Sequence, residues 1–372
     1  MSFDKPAVVI DNGSHFMKAG FACDNHPVSM FRTLVARPRN LVGRYGRAGH
    51  YEVYIGDEAV VHNDDMAVTP PVVNGKIVQW DNMERIWHHI FYRELKAAPE
   101  DRAVLLCLSP GAPIEEKIKC CQVFFEALNV PALCMQSTSV LALYGSGFTT
   151  GITIDLGWDS TDINPAYEGG LIHYAQMSTN YAGEQICKFY RESLASRGID
   201  LGCDANEIID AVMMNEMNIS IDCSMPRRPV RKYAVDPRTK QKTDVTDETF
   251  MVSEMFFQPD LVMGYDTGYM PLHKAFLMAS QKCDMDIRDE LNNAVVLCGG
   301  LSMIPGLAER FRVELTDLVE KPVTVLTSDE SYVVSWMGGA TFAGIPEAQR
   351  MWVTRQQFQE YGARVVKNRM MF

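Results

Sequence analysis

Short apolar runs that stop at an aspartate and a glycine set the rhythm of this chain. Val8-Val9-Ile10 leads into Asp11-Asn12-Gly13-Ser14, and a second short apolar run ends at Phe21, which predicts strand, tight turn and strand. Gly151-Ile152-Thr153-Ile154 leads into Asp155-Leu156-Gly157-Trp158 and repeats the figure. Val295-Val296-Leu297-Cys298 predicts a buried strand ending in Gly299-Gly300, with Pro305 placed to open a helix. In between, Ala103–Leu108 predicts a buried strand, residues 115–128 a helix, and residues 133–144 a strand and the start of another helix. Met83, Ile86, Trp87, Ile90 and Leu95 fall on one core-facing stripe, in a helix opened by Asp81 with Glu84 completing a capping box. Residues 71–78 predict a turn then a strand. Residues 204–217 predict a helix with Ile208, Ile209, Val212 and Met213 as its apolar set. This alternation, recurring from Gly151 onward, predicts an α/β layered fold whose second half repeats its first.

Composition narrows the setting. A chain of 372 residues with 47% hydrophobic content can bury large cores and form two domains. A net charge of −12 argues against direct nucleic-acid binding. No apolar run reaches membrane-spanning length, and Met1–Lys5 does not read as a secretory leader. Ten cysteines without C-x-x-C spacing suit a reducing compartment, the cytoplasm or the nucleus. Cys120-Cys121 read as core rather than as metal ligands, and so do His88 and His89 as packed or solvated side chains. Residues 37–50 form an Arg- and Gly-rich surface loop, with contact to an acidic partner as the alternative. The basic stretch 225–247, broken by Pro229 and Pro237, predicts a loop and a hairpin. A solvated face is its first reading and a docking surface for an acidic partner its second.

The hairpins carry the candidate chemistry. Asp11, at a strand end, can hold the water shell of Mg²⁺. The backbone N–H groups of Gly13, Ser14 and His15 can line a concavity suited to a phosphate, with Lys18 in reach of the same anion. Asp155 and Gly157 repeat the arrangement. The Gly299-Gly300 strand end lets backbone approach a flat ligand. Together the three describe a cleft between two similar halves.

These stretches, with Ile55-Gly56-Asp57-Glu58-Ala59, Trp80-Asp81-Asn82-Met83, Phe257-Gln258-Pro259, Lys282-Cys283-Asp284-Met285-Asp286, Trp336-Met337-Gly338-Gly339 and Met351-Trp352-Val353, resemble actin and the actin-related proteins over nearly the full length. They are more specific than what the wider sugar-kinase and chaperone superfamily shares. The resemblance implies an actin-like, ribonuclease-H-like duplicated fold: two lobes of two subdomains each around a central nucleotide cleft. Residues 1–145 with 336–372 would form the first lobe (33–70 its small subdomain) and 146–335 the second (about 182–270 its small subdomain). It implies ATP or ADP with Mg²⁺ at Asp11, Gly13, Ser14, His15, Lys18, Asp155, Gly157, Gly183, Gly299, Gly300 and Met303, the metal held through water by Asp11 and Asp155. It also implies a partner cleft at Tyr144, Gly147, Thr149 and Met351, of the kind that receives the apolar face of a partner helix.

The chain departs from the family where the chemistry sits. Thr138 stands at the family's water-orienting glutamine, with Gln136 two residues away, and Asp162 stands at its histidine. Trp158 replaces an aspartate and Asp159 a glycine in the second loop. His15 replaces a glycine in the first, where it could crowd the β-phosphate or, if charged, partner it. The base-binding Lys-Glu pair is Met213 and Met214, and a further lysine is Tyr332. Carboxylates within ~5 Å of a triphosphate repel it by on the order of a kcal/mol each. Several lost hydrogen bonds at about 1 kcal/mol each weaken affinity a hundredfold or more. The sequence therefore predicts a divergent actin-related subunit of a larger protein assembly, cytoskeletal and without effective ATP hydrolysis, with nucleotide weakened or the cleft empty. Alternatives are an ATP-binding filament former with slow ATPase, a small-molecule phosphotransferase, and a nuclear chromatin-remodelling subunit.

Overall fold

The computed structural model describes residues 5–39, 53–62, 66–179, 181–199, 217, 219, 231–235, 242–260, 267–316, 318–319 and 321–370. The chain divides into two compact units, Met1–Gly147 with Val333–Phe372, and Phe148–Tyr332. The first unit contains strands β1 (Val8–Asn12), β2 (Phe16–Phe21), β3 (Ser29–Arg32), β4 (Val104–Leu108) and β5 (Ala132–Ser137). The second contributes β6 (Gly151–Leu156), β7 (Thr161–Tyr167), β8 (Gly170–Leu171), β9 (Met177–Thr179), β10 (Val295–Cys298) and β11 (Val325–Leu326). The chain then returns to the first unit with β12 (Val353–Thr354).

The helices that bear on the site begin with α1 (Trp80–His89), α2 (Ile114–Gln122) and α3 (Thr138–Gly145). In the second unit lie α4 (Gly183–Ser196), α5 (Thr246–Glu254), α6 (Leu272–Lys282) and α7 (Leu307–Thr316). The first unit resumes with α8 (Val334–Gly344), α9 (Arg355–Tyr361) and α10 (Ala363–Arg369).

Each unit is built on one mixed sheet. The first runs β12-β5-β4-β1-β2-β3, the second β11-β10-β6-β7-β8 with β9 beside β7. In the first, β1 is antiparallel to β2 and parallel to β4, which is parallel to β5. In the second, β6 is antiparallel to β7 and parallel to β10, which is parallel to β11. The internal repeat and the α/β class expected from the sequence are thus both present. The central strands β4 and β10 are buried along their whole length, as their unbroken apolar sequences require. Successive residues of β1 feed opposite cores: Val8 and Ile10 pack with the α1 and α2 side, Val9 with α8 and Trp336.

The apolar stripe of α1 is buried as expected from Met83 through Leu95. The five-residue step from Ile90 to Leu95 is a π turn over Ile90–Glu94, and α2 ends the same way over Val123–Ala127. Each is followed by a left-handed residue, Lys96 (φ 47°) and Asn129 (φ 57°). Cys120 and Cys121 are buried free thiols, and no metal-holding cluster exists among the described residues. Among those residues no helix is long and apolar enough to cross a membrane.

Several local expectations need correction. The α1 helix starts at Trp80 with Gln79 as its N-cap and no side-chain cap, so the Asp81–Glu84 capping box does not form. Instead Asn82 donates to the side chains of Gln79 and Thr69, fixing the helix start by a different network. Residues 71–78 form a hairpin, Val72–Val73 against Lys76–Ile77, turning on Asn74 (φ 51°) and Gly75 (φ 66°). The C-terminal tail forms two helices, α9 and α10, separated at Gly362 (φ 54°). Of the basic stretch, Tyr233–Val235 pairs with Lys242–Asp244 as a hairpin, while 225–230 and 236–241 lie outside the described residues. Residues 40–50 of the Arg-rich loop and 204–216 of the predicted helix, Met213 and Met214 included, also lie outside them.

Candidate functional site

In the first unit the β1–β2 hairpin runs in register from Val8 opposite Phe21 to Asn12 opposite Met17. A Cβ on Gly13 would stand 2.4 Å from the Phe16 carbonyl oxygen, so only glycine fits this turn. Thr33 ties the loop down: its Oγ1 donates to the Gly13 carbonyl (2.8 Å) and its N–H to the His15 carbonyl (2.8 Å). Asn12 accepts from the buried Trp87 Nε1 at 3.3 Å. Lys18 sits directly opposite Asp11 and donates to its Oδ2 at 2.7 Å, both side chains largely buried. Burial and the nearby Arg32 charge push the His15 imidazole from 6.5 down to about 4. It is therefore neutral at pH 7 unless an anion stands beside it. Lys18 is the cation of this loop.

The second unit repeats the hairpin with the same spacing. Asp155 stands opposite Asp162 on β6 and β7, as Asp11 stands opposite Lys18. The turn closes when the Gly157 N–H donates to the Ser160 carbonyl at 3.0 Å. A Cβ on Gly157 would also lie 3.0 Å from that oxygen. The charge, however, is inverted: where the first hairpin pairs Asp with Lys, the second pairs Asp with Asp. The Asp162 carboxylate accepts from Ser160 Oγ at 2.5 Å and from the Ser178 side chain, while burial pushes its pKa up. Asp159 is buried as well.

Gly299 follows β10 at φ 86°, and a Cβ there would come within 2.5 Å of both Asp155 Oδ1 and the Leu156 carbonyl. Nothing lies within 4 Å of a Cβ on Gly300, and Met303, on the turn it opens, is half exposed. At the start of α4, the Gly183 and Glu184 N–H groups donate to the carbonyls of Gly157 (3.2 Å) and Trp158 (2.8 Å). A Cβ on Gly183 would meet the Trp158 ring at 2.7 Å. In this unit, then, Asp155, Gly157, Gly183 and Gly299 come together. In the other, Asp11, Gly13, Ser14, His15 and Lys18 share one hairpin.

The residues at and beside the expected glutamine position lie at the end of β5 and the start of α3. Thr138 opens α3, and Ser137 before it caps that helix by accepting from the Ser139 N–H. Gln136 is buried, its Oε1 accepting from the Ser137 N–H at 2.8 Å. Of the expected partner cleft, Tyr144 packs edge-on against Phe342, and Met351 lies against the same core. Gly147, at φ 84° past the end of α3, lies in the same unit, whereas Thr149 is an exposed residue of the second unit. Sequence reasoning missed Thr33 and Ser178, which sit on a neighbouring connection and a neighbouring strand and carry no local motif.

A family model described as Actin matches residues 3–216 and 207–371. The chain belongs to the actin family. Family members normally bind ATP or ADP with Mg²⁺. The donor set of the first hairpin suits such a group, with a tight glycine turn, an acid for the metal's water shell and a cation beside it. The second fits it poorly: Asp159 and Asp162 bring negative charge, and the first N–H groups of α4 are already spent on the hairpin's own carbonyls.

The burial of the Asp162 carboxyl has a measurable consequence. A carboxyl whose pKa is raised on folding contributes stability that is full below its unfolded value of 3.8 and is lost as pH rises through the folded value. Asp162→Asn removes that loss, so its thermal midpoint relative to the parent should climb by about 1–3 °C between pH 4 and pH 7. Parallel melts across that range check it, and a difference that stays flat with pH refutes it.

Proposed function

We propose that this actin-family chain works as a structural subunit of a larger protein assembly, cytoskeletal and cytoplasmic, with ATP hydrolysis weak or absent. The observation that carries the reading is the state of the two water-orienting positions. Thr138 lacks the reach and amide of a glutamine, and Asp162 is held by two serines and burdened by burial. Gln136, the nearest substitute, is fastened to its own strand end. General acid–base catalysis needs a group in hydrogen-bond reach of the attacking water, and the Asp162 and Gln136 side chains are engaged in local hydrogen bonds instead.

Nucleotide binding is a separate matter from turnover. Asp11 and Asp155 would hold Mg²⁺ through water. Gly13, Ser14, His15 and Lys18, with Gly157, Gly183, Gly299, Gly300 and Met303, would meet the nucleotide, at an affinity lowered by the replaced family contacts. Tyr144, Gly147, Thr149 and Met351 would receive a partner's apolar helix face. When bound, Mg²⁺ would screen the phosphate charge, and nucleotide would stabilise the folded state by mass action.

Phosphate release from the purified chain, with Mg²⁺-ATP and with and without a polymerising salt, tests the reading. Release at background in both conditions is expected. A rate equal to that of conventional actin, or ATP-dependent pelleting of filaments, overturns it. Mass spectrometry of nucleotide freed from gently purified protein reports separately on binding.

A further inference from the structure

The second hairpin is held shut by the chain itself. Trp158 occupies the turn between β6 and β7, and its ring lies so close over the start of α4 that a Cβ on Gly183 would stand 2.7 Å from Cε3 and 3.3 Å from Cδ2. Two backbone hydrogen bonds reinforce the contact, Gly183 N–H to the Gly157 carbonyl and Glu184 N–H to the Trp158 carbonyl. Asp159, next in the turn, is buried rather than turned out to water. The loop's glycine, its tryptophan and the first turn of α4 thus satisfy one another.

A helix N-terminus with open N–H groups is a place for an anion. Here those groups are closed by carbonyls, and an indole fills the space a small side chain would leave. We propose that Trp158 is a positioning residue, a latch that orders the second hairpin against α4 without nucleotide. It thereby takes over the role a bound phosphate would have in ordering this loop. The inference rests on the reading that nucleotide contacts are weakened, and it explains how the unit keeps its fold despite that.

The latch makes the amides of Gly183 and Glu184 reporters. Hydrogen exchange on the full-length chain, stripped of nucleotide with apyrase and EDTA, should leave the segment containing them as protected as in Mg²⁺-ATP. Trp158→Ala should speed exchange there by about tenfold or more. Trp158→Phe, which keeps a ring over Gly183, should stay near the parent and guards against a merely misfolded alanine variant. Loss of protection in the stripped parent overturns the latch, as does unchanged exchange in Trp158→Ala. Phosphate release at actin's rate from a parent that passes the exchange test would sink the functional reading and leave the latch standing.

Discussion

Gly338→Ala should unfold or severely loosen the first unit, although alanine is the better helix former by about 1 kcal/mol. A Cβ at Gly338 would stand 1.7 Å from the Leu141 carbonyl oxygen, 2.6 Å from its carbon and 2.7 Å from the Gly145 nitrogen. From the other side, a Cβ on Gly145 would lie 2.3 Å from the Val334 carbonyl oxygen. So α3 and α8 meet backbone to backbone, and no flexible side chain can swing away to make room. The helices must separate, which strips packing from Trp336 and breaks its hold on β1, where Nε1 donates to the Val9 carbonyl at 3.0 Å. Overpacking of this kind costs about 3 kcal/mol or more, well beyond the propensity gain. The expected result is a drop in thermal midpoint on the order of 10 °C, or insoluble protein. Gly344→Ala, at the end of the same helix with nothing within 4 Å, is the control and should change stability by less than about 1 kcal/mol. Equal behaviour of the two variants in denaturant melts would show that the close approach of α3 and α8 does not govern this unit.

That contact was only half legible in the sequence. Gly338-Gly339 stood out as a shared segment of the resemblance, but nothing in it named Leu141 or Gly145, which lie two hundred residues earlier. The hairpins were legible because their signal is local: an apolar strand, an aspartate and a glycine turn specify themselves within a dozen residues, and the second copy confirmed the first. Helix stripes were legible for the same reason, and even the five-residue step from Ile90 to Leu95 was in view, although a period of 3.6 hid the π turn it implies. Capping was misjudged in an instructive way. Asp81-x-x-Glu84 spells a capping box and does not form one, because Gln79, Asn82 and Thr69 bind one another first. Thr354-x-x-Gln357 spells one too, and there both reciprocal bonds form at 3.1 Å.

At the candidate site the sequence named the residues but not their partners. Asp11 was expected to hold the metal's water shell and Lys18 to reach the anion, and the ion pair between them follows only from the hairpin register. That register also sets Asp162 opposite Asp155, a like-charge pairing that a list of replaced residues does not reveal. The replacement of a glycine by Asp159 and an aspartate by Trp158 looked like simple loss. In three dimensions Asp159 is buried and the half-buried Trp158 lies against the start of α4, which is a gain of structure in place of chemistry.

Phe257-Gln258-Pro259, one of the segments that carried the resemblance, has a packing role of the same kind, and Arg310→Met should expose it. Arg310 lies on α7 with 1% of its surface exposed. It donates from Nη1 to Glu254 Oε1 at 3.1 Å and from Nε to Glu314 Oε1 at 2.7 Å. Its guanidinium lies 4.9 Å over the ring of Phe257, which in turn stacks parallel to His273 on α6. One buried cation therefore joins α5, the Phe257 segment, α6 and α7. Replacing it with methionine keeps most of the volume and leaves Glu254 buried beside no guanidinium, a loss of about 3–5 kcal/mol. Adding Glu254→Gln should recover most of that loss, because a neutral amide can be buried at far lower cost. Denaturant melts of the parent, the two single variants and the double variant close the cycle. If Arg310→Met alone is nearly neutral, the pair contributes nothing net and the apolar packing of Phe257 and Phe311 holds this core. If the double variant is as unstable as the single, the cost lies in lost contacts to the guanidinium rather than in the stranded carboxylate.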